Sequence, residues 1–109
     1  MTVGIYSFEL HLPEARSLKD KRQVLRRVKD RLRAHHNVAV AETGEYLDLW
    51  QRAALTVVSV ADRREPLERL FDAVHREVQA HVPGQVIDIG IEYLDGADGG
   101  VAGWSESWE

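Results

Sequence analysis

Lysine and arginine side chains are concentrated in residues 16–33, and phosphate binding is the chemistry for which such a cluster is suited. The segment holds nine basic residues and two aspartates, which give it a local charge of +7. At about 100° per residue, five of the basic side chains fall within one narrow sector of a helix, roughly opposite its apolar residues. We call this set the basic ridge: Lys19, Arg22, Arg26, Lys29 and Arg33.

Helix stability alone does not explain the basic ridge, because like charges at this spacing repel each other by a few tenths of a kcal/mol per pair. The ridge therefore predicts contact with a polyanion such as RNA, with Lys21 as a further phosphate contact at the start of the helix. The alternative interpretation is a solvated surface that acidic loops or a neighbouring subunit partly neutralise.

The net charge of the whole chain is −4, which by itself argues against a nucleic-acid ligand. Because residues 16–33 carry +7, however, the rest of the chain carries −11. The charges are thus separated, and one basic helix is left as a possible phosphate-facing surface.

The other reactive side chains do not form a recognisable catalytic or metal-binding set. The absence of cysteine excludes thiolate nucleophiles and cysteine zinc sites. His75 and His81 are six residues apart, whereas a helical zinc site has its histidines four apart. Glu9, His11 and Glu92 could form a proton-transfer cluster on a sheet, but a hydrogen-bonded surface triad is the simpler interpretation. We expect a non-enzymatic protein with no catalytic residue, no cofactor and no metal.

The elements that must position these side chains alternate between strand and helix patterns. Alternating or β-branched residues predict strands over residues 3–12, 37–43, 52–60 and 86–93. Ser17 is placed to cap a helix that runs to about His35, and residues 62–66 carry the start signals of a second helix. The order βαββαβ, with right-handed crossovers, predicts an α+β ferredoxin-like fold: a four-stranded antiparallel sheet with two helices on one face.

Large apolar residues follow a glycine turn between the second and third strands. Leu47, Leu49 and Trp50 are more than a solvated hairpin needs, so they either plug an edge of the core or form a contact surface. Of these two interpretations, we favour the one in which the three residues plug an edge of the core. Leu49 and Trp50 are nevertheless candidates for contact with a partner, and stacking of a base on a single Trp50 is a weaker possibility.

The face of the sheet without helices, here called the open face, is predicted to be half apolar. We expect Ser7, Glu9 and His11 to lie there beside Asp88 and Glu92. Residues 1–94 are predicted to form the single domain, followed by a glycine-containing acidic tail over residues 95–109. Two tryptophans of the tail, Trp104 and Trp108, are candidates for docking on this chain or on a neighbour.

Three segments resemble a known family of small bacterial proteins. They are Ser17-Leu-Lys-Asp-Lys-Arg22, Val38-Ala-Val-Ala-Glu42 and Asp48-Leu-Trp-Gln-Arg-Ala53. Together they are similar to the YlxP-like family, domain of unknown function 503, over about residues 1–94. The resemblance implies a ferredoxin-like fold and genes close to those for translation-initiation and ribosome-maturation factors, but no activity or cofactor. Relative to the common family form, residues 44–47 look like an insertion in the hairpin.

Two functional hypotheses from different classes follow. The first is an RNA- or ribosome-associated module that uses the basic ridge and Lys21. The second is a self-associating or partner-binding module that uses the Trp50 hairpin, the open face and the tail. Stacking of RNA across the sheet is disfavoured, because residues 52–60 lack the aromatic side chains of an RNA-recognition motif. With neither an apolar span nor a basic leader, the chain is expected to be cytoplasmic and free of membrane.

Overall fold

The computed structural model describes residues 1–96 of the 109-residue chain. Four antiparallel strands form one sheet in the order β2-β3-β1-β4, with two helices packed against it. The elements are β1 (Thr2–His11), α1 (Leu18–His35), β2 (Ala39–Thr43), β3 (Arg52–Ala61), α2 (Arg64–His81) and β4 (Gln85–Asp95). The predicted ferredoxin-like α+β fold is confirmed, and each predicted element is present within a few residues of its expected bounds.

Local sequence explains where α1 begins and which residues both helices bury. Ser17 has an extended backbone, and its hydroxyl accepts a hydrogen bond from the Asp20 amide, which is the predicted N-cap of α1. Helical spacing then directs one stripe of each helix towards the sheet. The buried apolar residues are Leu25, Val28 and Leu32 in α1, and Leu67, Phe71, Val74 and Val78 in α2.

The hydrophobic core lies between the helices and one face of the sheet. Tyr6, Phe8 and Leu10 of β1 point to this face and are almost completely buried. Their partners in the neighbouring strand β3 are Val57, Leu55 and Ala53, which are also buried. The two central strands therefore supply most of the core residues that come from the sheet.

A β-bulge in β4 changes which face its residues occupy. Ser7 pairs with Gly90, whereas the next residue, Phe8, pairs with Asp88, so Ile89 is the extra residue. Beyond the bulge, Asp88 lies on the helix side of the sheet and Ile87 lies opposite Glu9 on the open face. The prediction that Asp88 belongs to the open face is therefore wrong, because simple alternation cannot register an inserted residue.

Neither of the two helices within residues 1–96 is both long and apolar enough to cross a membrane. Both are amphipathic, with polar residues on the side away from the sheet.

Candidate functional site

The basic ridge is accessible along α1. Four of its residues are exposed and Lys29 is half-buried. Within residues 1–96, none of the five side chains has a carboxylate oxygen within 4.0 Å, although other lysines and arginines of the chain do form ion pairs. The exposed members are Lys19, Arg22, Arg26 and Arg33.

The ridge lies beside strand β2 and not directly opposite the apolar stripe as predicted. Arg33 donates a hydrogen bond from Nη2 to the Val40 carbonyl oxygen at 2.9 Å, which fixes that side of the helix above β2. Around the helix axis, the centre of the ridge is about 110° from the centre of the buried residues. Arg33 is thus partly engaged in covering the edge strand, while the other four cations have no protein acceptor among the hydrogen bonds of residues 1–96.

Lys21 is not a phosphate contact, and its prediction as one is wrong. Only 1% of its side chain is exposed. Nζ lies 2.7 Å from the Tyr46 carbonyl oxygen, 3.2 Å from that of Leu47 and 3.4 Å from that of Arg52. The Glu42 carboxylate is 3.2 Å away and supplies the opposite charge. The sequence contained a signal for this burial, because residue 21 shares a helical face with the apolar residues four, seven and eleven positions later.

Lys21 fixes the hairpin between β2 and β3, which we call the Trp50 loop (residues 44–51). The loop begins at Gly44, whose φ of 83° is a conformation that favours glycine. Its far end is held by Gln51, whose Nε2 donates to the carbonyl oxygens of Pro13 at 3.0 Å and Ala15 at 3.3 Å. The two attachments place the loop against the start of α1.

The Trp50 loop presents large apolar side chains to solvent. Leu47 is 58% exposed, Leu49 is 46% exposed and Trp50 is 52% exposed. The favoured interpretation that these residues plug the core is wrong, because about half of each side chain is exposed to solvent. Glu45 and Asp48 of the same loop are exposed, and no cationic group of residues 1–96 lies within 4.0 Å of them.

The open face carries a polar cluster next to the Trp50 loop. Glu9 accepts from Arg52 Nε at 2.6 Å and contacts His11 Nε2 at 2.8 Å. The hydrogen bond from Arg52 holds the pKa of Glu9 below its usual value despite burial. Arg52 also stacks on the Tyr46 ring at 4.1 Å. Glu92 pairs with Ile5 farther along the sheet, so it does not complete the predicted triad with Glu9 and His11.

A second polar cluster lies on the helix side of the sheet. The Tyr6 hydroxyl donates to Asp88, and it is 2.9 Å from His75 Nδ1. Burial, followed by the hydrogen bond to Asp88, raises the pKa of Tyr6 far above its usual value. Tyr6 therefore stays protonated at neutral pH, and the cluster serves to satisfy a buried hydroxyl.

The helices meet at Glu77. Its carboxylate contacts Arg31 Nε at 3.2 Å, His36 Nε2 at 2.9 Å and His35 Nδ1. Burial raises the pKa of Glu77, but the hydrogen bonds and charges of the two histidines outweigh burial, so the pKa lies below its usual value. A groove of about 390 Å³ runs beside this junction, with Val24, Val28 and Val78 among its lining residues. Within residues 1–96, no three or more acidic, histidine or cysteine side chains are grouped to hold a metal ion.

Comparison with known proteins gives the family. The family model described as "Protein of unknown function (DUF503)" matches residues 3–91. The chain belongs to the DUF503 family. It is also 36% identical over 72 residues to the "Uncharacterized protein YlxP" of Bacillus subtilis (strain 168), an alignment that covers 66% of this chain and 77% of that protein. The resemblance inferred from the three sequence segments is thereby confirmed.

In this DUF503 chain the three segments that carry the resemblance meet at one point. Lys21 comes from the first segment, Glu42 from the second, and the Arg52 carbonyl from the third. The segments thus encode the anchor of the Trp50 loop. Of the predicted partner contacts, Leu49 and Trp50 are exposed on that loop, while Trp104 and Trp108 lie outside the described residues.

Proposed function

We propose that this DUF503 chain is a non-enzymatic RNA-binding module that contacts RNA through the basic ridge. The observation that supports the proposal is a row of five aligned cations, four exposed and one half-buried, with no carboxylate partner within residues 1–96. From Lys19 to Arg33 the ridge spans about 21 Å along the helix axis, enough to contact several successive phosphates. Because Lys21 is buried, five of the six predicted phosphate-contacting residues remain in the proposal.

RNA fits this surface better than an acidic protein segment for a physical reason. A phosphate backbone offers a regular series of negative charges, and its condensed counterions are released when lysine and arginine replace them. This entropy gain does not require that each side chain adopt a single geometry. The acidic remainder of the molecule disfavours phosphate elsewhere, so the RNA is oriented on α1.

The proposal is tested by binding of a labelled single-stranded RNA to a charge-reversal variant. The double variant Arg22→Glu with Arg26→Glu should bind at least about tenfold more weakly at low salt, with a salt slope smaller by roughly one to two. The matched control is Arg69→Glu with Arg76→Glu, which makes the same charge change on exposed positions of α2. Equal losses in both variants, or wild-type binding that does not depend on salt, would contradict the proposal.

A second candidate function is protein contact through the Trp50 loop, and a separate observation favours it. A partly exposed tryptophan and two exposed leucines on a loop fixed at both ends resemble the centre of a protein interface. A photoreactive phenylalanine derivative at position 50 keeps a large aromatic side chain there and should crosslink to protein, whereas the same residue at exposed Glu68 of α2 should not. No crosslink from position 50, either in cell extract or with the purified chain, would exclude this function.

A further inference from the structure

We infer that the Trp50 loop and the first turn of α1 form a self-complementary surface through which two copies of this chain associate about a twofold axis. The inference rests on the second candidate function, since it names a second copy as the partner of the loop. It shares Lys19 and Arg22 with the basic ridge of the RNA proposal, but its apolar residues lie outside that ridge.

The centre of the surface is apolar and held in place. Leu47, Leu49 and Trp50 are each about half exposed, so their apolar atoms have much to gain from burial. Lys21 and Gln51 already fix the loop backbone, which lowers the entropy cost of ordering it on association. Tryptophan in such a position is typical of residues that dominate the binding free energy.

The charges around this centre point to a second copy. Glu45 and Asp48 on the loop are exposed and have no cation within 4.0 Å in residues 1–96, and Lys19 and Arg22 on α1 have no carboxylate. The contacts of Lys21 with the Tyr46 and Leu47 carbonyls bring loop and helix start together. The loop thus carries unpaired acidic side chains beside its apolar residues, and the adjacent helix start carries unpaired basic ones.

A twofold axis between two copies would give these unpaired charges partners of opposite sign. In an isologous dimer the same patch is used by both copies, so the acidic loop of each copy can face the basic helix start of the other. A nucleic acid suits the loop less well, because Glu45 and Asp48 repel phosphate. Arg26, Lys29 and Arg33 lie farther along α1 and stay outside the patch, so each copy keeps part of the basic ridge free.

The first test is sedimentation velocity of the purified full chain over a range of concentrations. Because the apolar centre consists of only three side chains, we expect a weak dimer with a dissociation constant on the order of micromolar. Trp50→Ala should weaken association by at least about tenfold. The control Ile89→Ala removes an apolar residue that is 59% exposed on β4, and it should leave association unchanged. A chain that remains monomeric at the highest concentration overturns the inference.

The second test exchanges the charges. The double variant Glu45→Lys with Asp48→Lys makes the loop basic, like the helix start. The double variant Lys19→Glu with Arg22→Glu makes the helix start acidic, like the loop. Each alone should dimerise at least about tenfold more weakly, and an equimolar mixture should form a heterodimer with close to wild-type affinity. Failure of the mixture to associate, or wild-type dimerisation of either variant alone, overturns the inference.

The photoreactive residue at position 50 distinguishes failure of the dimer inference from failure of the second candidate function, protein contact through the Trp50 loop. Crosslinking between copies in the purified protein supports the inference. Crosslinking in cell extract to other proteins only overturns the inference and leaves protein contact by the loop in place, whereas no crosslink at all removes both. Salt-dependent RNA binding by Trp50→Ala reports separately on the RNA proposal, because this variant leaves the basic ridge intact.

Discussion

At the scale of single residues, Lys21 has the most distinctive environment in the described chain. A lysine that is almost completely buried must have its charge compensated and its three protons accepted. Glu42 supplies the charge and the carbonyls of Tyr46, Leu47 and Arg52 supply the acceptors. The position of the exposed Trp50 loop therefore depends on a residue that itself contacts no partner.

Replacement of Lys21 by methionine should lower the free energy of unfolding by about 3 kcal/mol. The variant leaves the Glu42 carboxylate without its cation and the loop carbonyls without a donor, while it conserves most of the side-chain volume. Urea unfolding measures the loss. The control Lys19→Met changes an exposed residue and should shift the value by no more than about 0.5 kcal/mol. Similar results for the two variants would show that the anchor does not stabilise the fold.

At the scale of the elements, the β4 bulge and the helix junction decide which side chains meet. The bulge turns Asp88 towards Tyr6 and His75, on the side of the sheet that alternation assigned to apolar residues. The junction brings Glu77 of α2 onto the two histidines at the end of α1. Each contact joins residues far apart in sequence, so neither was visible in the periodicity of one element.

The Glu77 junction should make stability depend on pH in acid. Because the pKa of Glu77 is lower in the folded state than in the unfolded state, its contribution is present above the usual glutamate pKa and is lost as the pH falls through the lowered value. Glu77→Gln should therefore be less stable than wild type at neutral pH, and the difference should shrink on acidification. Urea unfolding between neutral and acidic pH measures it.

The matched control for this prediction is Glu65→Gln. Glu65 forms an ion pair with Arg69 on the surface of α2, with 66% of its side chain exposed. Such pairs contribute little, so the difference from wild type should stay small at every pH. A Glu77→Gln difference that is constant with pH would contradict the assigned role of the histidine contacts.

At the scale of the whole molecule, the basic charge is concentrated on one helix, whereas the core draws residues from all the strands and both helices. The charge is uneven: within residues 1–96, α1 carries most of the cations without a carboxylate partner, and most acidic residues of the chain lie outside α1. Among residues 1–96, the buried residues of the core fall between Tyr6 and Val86. At the end of the sheet, the Gly96 amide donates a hydrogen bond to the Met1 carbonyl oxygen at 2.9 Å.

A chain that ends after Gly96 should keep its fold, with a free energy of unfolding within about 1 kcal/mol of the full chain. The reason is that all strand pairs and all core contacts described above are retained. Urea unfolding followed by circular dichroism tests this. A chain that ends after Gly90 serves as the comparison: it loses the pairing of β1 with residues 91–95 and should be much less stable. Loss of cooperative unfolding after truncation at Gly96 would show that residues 97–109 are needed for the fold.

The sequence by itself determined the elements, their order, the fold class and the existence of a basic helix face. These properties follow from periodicities of two and 3.6 residues and from local caps, all of which act between near neighbours in the chain. The family resemblance was also present in three short segments. None of these inferences required knowledge of which distant residues meet.

Only the tertiary structure decided which charges are free and which apolar residues are exposed. Lys21 and Arg22 are adjacent in sequence, yet one is buried against the Trp50 loop and the other is in solvent. Tryptophan is a residue type common in protein cores, but the loop that carries Trp50 is attached to the rest of the protein through Lys21 and Gln51, and the Trp50 side chain is 52% exposed. Burial depends on how the elements pack, and a contact between residues thirty positions apart leaves no periodic trace in the sequence.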